Sequence, residues 1–172
     1  MYLNFKNLNN KKFIMAGPNV IESEDQILNM AKRLKTIFSN YDINFIFKTS
    51  FDKANRTSAS SYRGLGFEEG LRILQKVKDE IKIPIITDIH ESWQAEPVGK
   101  IVDVIQIPAF LCRQTDLLKA AAETGKIIQI KKGQFCNADV LHKSKEKIIE
   151  FGNPNVILCE RGNSFGYQDL IV

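Results

Sequence analysis

Four cations stand within one 19-residue stretch. Lys48, Lys53, Arg56 and Arg63 lie in K-T-S-F-D-K-A-N-R-T-S-A-S-S-Y-R-G-L-G, residues 48–66, against a single acid, Asp52. The stretch follows the apolar run Phe45-Ile46-Phe47. It is too polar for a core strand and shows no helical apolar stripe. It reads as a long loop at a strand end, rich in ammonium, guanidinium, hydroxyl and amide donors. Such a donor set suits an anion: arginine binds oxyanions in a bidentate fork and lysine acts as a point charge. Lys131 and Arg161 extend the pattern, because each follows a strongly apolar run. A buried, unpaired cation is costly there, and a bound anion would supply its partner. Together these cations suffice for two phosphate-type groups.

Other chemistry-bearing residues are less eloquent. Asp88 and His90 sit in T-D-I-H-E, a spacing that serves acid/base pairs and structural pairs alike. His142 falls on a helical stretch and reads as surface. Two histidines and three scattered cysteines, Cys112, Cys136 and Cys159, make no zinc spacing. An odd number of distant cysteines fits free thiols in a reducing cytosol. Trp93 reads as packing.

Composition narrows the class. The chain has 172 residues, 44% hydrophobic and 26% charged, as in an ordinary globular domain with a real core. A net charge of +4 without a Lys/Arg block gives little support to nucleic-acid binding. No apolar run has the length of a membrane span, and M-Y-L-N-F-K-N-L-N-N-K-K lacks a signal-peptide apolar region. We expect no nucleic-acid partner, no membrane association and a cytoplasmic location.

The elements that must position these residues alternate. Strands are predicted at Lys12–Ala16, Asn44–Lys48, Pro84–His90, Asp103–Ile107, Ile127–Lys131 and Val156–Glu160. Helices are predicted at Gln26–Phe38, Phe67–Ile81, Ser92–Lys100 with Ser92 as cap, Gln114–Glu123, and from Asn137 or Ala138 to Phe151. Strict βα order implies a parallel sheet. The strands end in polar groups: Lys48, Asp88, Gln106, Lys131 and then Arg161. Because side chains alternate along a strand, Ile127, Gln129 and Lys131 share one face, and Asp88 shares a face with Ile86. A (β/α)8 TIM barrel explains polar residues at successive strand ends, since its sites lie there. An open doubly wound sheet would use one crevice and, for a dinucleotide, G-x-G-x-x-G after the first strand. That place holds A-G-P-N-V-I-E-S.

F-K-T-S-F-D-K-A-N-R-T-S, T-D-I-H-E, D-V-I-Q-I-P-A-F-L-C-R-Q-T-D-L-L, I-K-K-G-Q-F and E-R-G-N-S-F-G-Y together resemble the 3-deoxy-D-manno-octulosonate 8-phosphate (KDO-8-phosphate) synthases. The resemblance runs in unbroken order from about Met15 to Val172. The related DAHP synthases carry a K-P-R-T-S-type loop instead, so Ala54-Asn55 points to the KDO member. The resemblance implies an enzyme that condenses phosphoenolpyruvate with D-arabinose 5-phosphate, for lipopolysaccharide biosynthesis. It implies that Lys53, Gln106, Ala109, Lys131, Gln134 and Arg161 hold phosphoenolpyruvate. Asn55, Arg56, Thr57, Asp88, Phe110 and Arg113 would hold the sugar phosphate, with Thr57 replacing the family's usual Ser. Lys48 would lie near the reacting carbons, and Pro108 and Phe110 would shape the wall between the substrates. Metal-dependent members resemble this chain but carry Cys at the position of Asn19. A neutral amide is a much poorer ligand than a thiolate, so Asn19 implies the metal-independent class, with no cofactor. Family members are typically homotetramers.

The chain is short for that fold, which typically needs about 250 residues. Residues 1–172 accommodate about six βα units of a single, incomplete barrel domain. The expectation is a C-terminally truncated sequence whose last two strands are absent, ending where a helix should continue. Alone, this stretch is expected to be poorly stable and inactive. A DAHP synthase using erythrose 4-phosphate and a non-catalytic fragment are the competing readings.

Overall fold

The computed structural model describes residues 3, 5–166 and 169–171. Tyr167, which closes E-R-G-N-S-F-G-Y, and Val172 lie outside the described residues. The chain is α/β. Six strands alternate with helices in strict βα order, the succession of the first six units of a (β/α)8 barrel. Two compact units compose it, Met1–Asp88 with Ile101–Asp103, and Ile89–Lys100 with Val104–Val172.

The first unit holds α1 (Phe5–Asn9), β1 (Phe13–Ala16), α2 (Glu24–Phe38), β2 (Asn44–Lys48), α3 (Phe67–Ile81) and β3 (Ile85–Asp88). β1 runs parallel to β2 with Ala16 opposite Phe47, and β2 runs parallel to β3 with Lys48 opposite Ile86. In this register β3 runs two residues past Ile86, the partner of Lys48, to end at Asp88. Ile46, Phe47 and all of β3 are buried, whereas Phe13 and Ile14 of β1 are exposed. α2 begins at Ser23, whose side chain accepts from Gln26 N, with Glu24 and Asp25 in its positive first turn. α3 buries the stripe Leu71, Leu74, Val77 and Ile81. Its Gly70 admits Phe51: a Cβ there would meet the Phe51 ring carbon Cγ at 3.6 Å and its backbone Cα at 3.2 Å. Glu24 of α2 accepts from Arg72 and Lys76 of α3, tying the two helices at their outer edge.

The second unit holds a 3-10 turn (Ser92–Gln94) leading into α4 (Ala95–Ile101), then β4 (Val104–Ile107) and a 3-10 turn (Ala109–Leu111). α5 (Thr115–Glu123), β5 (Ile127–Lys131), α6 (Ala138–Glu150) and β6 (Val156–Cys159) follow. β5 lies between β4 and β6, all parallel; Gln129 faces both Gln106 and Ile157, and Lys131 faces Cys159. Asn137 caps α6 by accepting from Val140 N.

Two expectations are corrected. Ser92 is not the cap of its helix. Glu91 is, in a reciprocal capping box: its carboxylate accepts from the Gln94 backbone N–H, and the Gln94 side chain reaches back to accept from Glu91 N. The chain does not continue as a helix after β6 either. Asn163–Phe165 (β7) and Asp169–Ile171 (β8) form an antiparallel hairpin, with Gly162 and Gly166 at positive φ. No helix of the described residues is long and apolar enough to cross a membrane.

Candidate active site

In the first unit, chemistry gathers where β2 and β3 end. The loop after β2 is polar, yet its root is buried: Thr49 and Ser50 are inaccessible and Phe51 is packed against α3. Lys48 Nζ donates to Ser50 Oγ at 3.1 Å and Lys53 Nζ donates to the same oxygen at 2.8 Å. Ser50 in turn donates a short hydrogen bond to Asp88 Oδ1. Lys48 Nζ stands 3.5 Å from Asp88 Oδ1, and Lys53 Nζ 4.0 Å from Oδ2. One buried carboxylate and one hydroxyl therefore hold two ammonium groups together at the mouth of the strands. Low local dielectric strengthens each of these contacts.

Farther out, Asn55, Arg56 and Thr57 are exposed at the tip of the loop. Arg56 Nε donates to the Tyr62 carbonyl at 3.3 Å, and Tyr62 Oη donates to the Ile21 carbonyl. Lys53 N donates to Arg63 O at 2.7 Å, closing the loop across its base. Arg63 is committed elsewhere: its Nε and Nη2 meet the two Asp52 oxygens at 2.8 and 2.5 Å. The four loop cations thus divide, and Arg63 with Asp52 serves the loop's own shape. Asn19 is exposed in the turn after β1. That turn lies tight on β2, since a Cβ at Gly17 would collide with the Lys48 carbonyl.

In the second unit, Gln106 is buried in β4, and Pro108 and Ala109 after it are half-buried. Phe110 is 56% exposed and Arg113 is exposed. Lys131 is half-buried at the end of β5. The β5–α6 loop packs under Ala109: a Cβ on Gly133 would come within 3.0 Å of the Ala109 carbonyl and 2.8 Å of the Phe135 ring. Gln134 Oε1 and Arg161 Nη1 are buried and lack a hydrogen-bond partner. Such orphaned polar atoms are costly unless something completes them.

The fully buried cation here is Lys132, not Lys131. Its neighbour in sequence takes the opposite face of the strand end, and the ammonium is 1% exposed. Ser50 and Lys132 are the residues that the sequence reading passed over. Ser50 stands two residues after Lys48, and the K-K pair after β5 had to send one lysine inward. Glu160 accepts from Gly162 N and Arg161 N, which hold its carboxyl below the usual range, and Lys132 adds to the effect. Among the described residues no three of His, Cys, Asp or Glu gather in a group that could hold a metal ion. Cys112 and Cys136 are buried with their sulfurs 3.9 Å apart.

A model of the DAHP synthetase I family matches residues 5–170. The chain belongs to the DAHP synthetase I family. Among similar proteins, the 2-dehydro-3-deoxyphosphooctonate aldolase of Pisum sativum is 66% identical over 160 residues, 93% of this chain and 55% of the relative. The 2-dehydro-3-deoxyphosphooctonate aldolase 1 of Arabidopsis thaliana is 64% identical over the same shares. The protein of that name from Koribacter versatilis is 55% identical over 162 residues, 94% of this chain and 58% of the relative. The chain thus spans little more than half the length of these relatives.

Proposed function

We propose that the protein condenses phosphoenolpyruvate with D-arabinose 5-phosphate and water, giving 3-deoxy-D-manno-octulosonate 8-phosphate and phosphate. The observation that carries this reading is the Lys48–Ser50–Lys53–Asp88 cluster at the root of the K-A-N-R loop. The names of the relatives support it.

The chemistry has clear needs. The C2–C3 double bond of phosphoenolpyruvate supplies the electron pair that bonds C3 to the sugar's aldehyde carbon. The aldehyde oxygen takes a proton and becomes a hydroxyl. Positive charge develops at C2, water adds there, and phosphate leaves with the C2–O bond electrons. Fixed charges placed for that moment stabilise it without reorganisation. Lys48 is assigned to the reacting carbons, and Asp88 to the sugar hydroxyls and the compensation of charge. Lys53, Gln106, Ala109, Lys131, Gln134 and Arg161 are assigned to phosphoenolpyruvate. Asn55, Arg56, Thr57, Phe110 and Arg113 are assigned to the sugar phosphate, with Pro108 shaping the wall beside Phe110. The orphaned Arg161 Nη1 and Gln134 Oε1 support a ligand at that end.

Asn19 supports a metal-independent mechanism, because an amide holds a divalent transition metal weakly. We further propose a cytoplasmic homotetramer acting in lipopolysaccharide biosynthesis. Ala54-Asn55 favours arabinose 5-phosphate over the erythrose 4-phosphate of a DAHP synthase. The test is phosphate release by the complete gene product. Phosphoenolpyruvate with arabinose 5-phosphate should react, erythrose 4-phosphate should not, and chelator should leave the rate unchanged. A preference for erythrose 4-phosphate would establish the DAHP reading. Loss of activity to chelator, restored by a divalent metal, would reject the Asn19 argument.

A further inference from the structure

Lys132 is the only lysine or arginine among the described residues that is fully buried. A cation is expelled from a protein interior unless acceptors surround it. Here they do. Lys132 Nζ donates to Asn163 Oδ1 at 2.6 Å, to the Gly162 carbonyl at 2.8 Å and to the Cys136 carbonyl at 2.9 Å. The Gly133 carbonyl and Glu160 Oε1 stand behind these at 3.3 Å each. A compact ammonium with three divergent protons suits acceptors arriving from several directions, which a planar guanidinium does not.

The position of those acceptors is what gives the residue its meaning. Gly133 and Cys136 bracket Gln134 in the β5–α6 loop. Glu160, Gly162 and Asn163 bracket Arg161 after β6. A backbone bond from Ser164 N to Gln134 O, 3.1 Å, links the same two segments, and Cys136 N closes the turn onto Gly133 O. Glu160 Oε1 fixes Arg161 N and Gly162 N at 2.8 and 2.7 Å while facing Lys132. Each segment also presents one buried polar atom without a partner, Gln134 Oε1 and Arg161 Nη1. One ammonium therefore clamps the two pieces of chain whose side chains await a ligand, and its own protons are all used by protein acceptors.

We infer that Lys132 is a positioning residue: it holds the β5–α6 and β6–β7 segments in register so that Gln134 and Arg161 meet phosphoenolpyruvate together, without touching that substrate itself. The inference rests on the proposed assignment of Gln134 and Arg161 to phosphoenolpyruvate. It adds a residue that this assignment does not contain.

The experiment compares Lys132→Met and the milder Asn163→Ala with the unaltered complete gene product. Amide hydrogen exchange over 133–137 and 160–164 is measured, together with calorimetric titration of phosphoenolpyruvate and, separately, arabinose 5-phosphate. Lys132→Met should raise exchange in both segments about tenfold or more and weaken phosphoenolpyruvate about 10- to 100-fold, and leave arabinose 5-phosphate within twofold. Asn163→Ala should do the same to a lesser degree, about threefold, and carries the test if Lys132→Met does not fold. Unchanged exchange in either segment overturns the inference. So does an equal loss of both ligands, which marks a merely structural role, or an unchanged phosphoenolpyruvate affinity. If the unaltered protein binds no phosphoenolpyruvate, the proposed function itself is rejected, and the inference with it.

Discussion

Lys48 at the end of β2 and Asp88 at the end of β3 face each other at 3.5 Å, with the Ser50 hydroxyl joining them. The parallel register sets Lys48 opposite Ile86, two residues before Asp88, so the long lysine side chain reaches forward along the strand direction to the carboxylate. Asp88 is 5% exposed, so its charge is tolerated only because two ammonium groups and a hydroxyl compensate it.

Asp88→Asn keeps the size and the acceptor for Ser50 but removes the countercharge. Lys48 and Lys53 then repel across a site where their side chains are 21% and 15% exposed. We expect a loss of about 2–3 kcal/mol in stability, somewhat below that of a fully buried pair because both lysines retain some water. Turnover should fall by more than stability explains. Denaturant unfolding and initial-rate measurements check both. A variant as stable and active as the parent would remove Asp88 from the site.

Gly17→Ala should be far more damaging than its size implies. The added methyl would run into the Lys48 carbonyl, which is backbone and cannot rotate away. β1 and β2 must then separate, or the A-G-P-N turn must lift and carry Asn19 with it. A cost of about 1–3 kcal/mol is expected for such overpacking. Thermal unfolding should report it, and the midpoint should recover in no second-site side-chain variant, since the obstacle is main chain.

Much of this fold was legible in the sequence. The bounds of β2, α3 and β5 agree with the periodicity residue for residue, because each is a clean apolar run or stripe between polar ends. What escaped was set by tertiary contact. The hairpin of β7 and β8 has three-residue strands, the first followed by Gly166 at positive φ, too short for any period to register. α1 spans only five residues and escapes for the same reason. At the candidate site, Lys48 and Asp88 were readable as strand ends. Arg63 was counted among the anion donors, yet Asp52, eleven residues away, claims it. Ser50 is ordinary in sequence and becomes central only once Lys48, Lys53 and Asp88 surround it. Lys131 was read as the buried cation from the apolar run before it. Strand alternation gives that burial to Lys132 instead.

The cysteines yield a pH prediction. Burial raises the Cys112 thiol above its ordinary value of 9.0, with the nearby Cys136 adding to the effect. The folded protein then keeps the Cys112 proton while the unfolded chain loses it. Stability from this group is complete below pH 9 and declines as pH rises above it. Alkylation of the native protein at neutral pH should label the half-buried Cys159 first, and Cys112 and Cys136 only on unfolding. Peptide mapping after timed labelling reads the order. Early labelling of Cys112 would mean that the wall behind Ala109 opens readily in solution.

Lys131→Met is the sharpest test of the proposed phosphoenolpyruvate contact of Lys131. Methionine preserves most of the aliphatic stem of a half-buried lysine, so the β5 ladder, with Lys131 opposite Cys159, should persist. The ammonium alone is removed. If it neutralises the phosphate or carboxylate of phosphoenolpyruvate as bonding charge shifts, kcat/KM should fall about 10²- to 10³-fold, the range for losing one preorganised electrostatic contact. The unfolding midpoint should move little, because Lys132, on the opposite face, keeps its own acceptors. Near-normal turnover in this variant would show that Lys131 does not hold phosphoenolpyruvate.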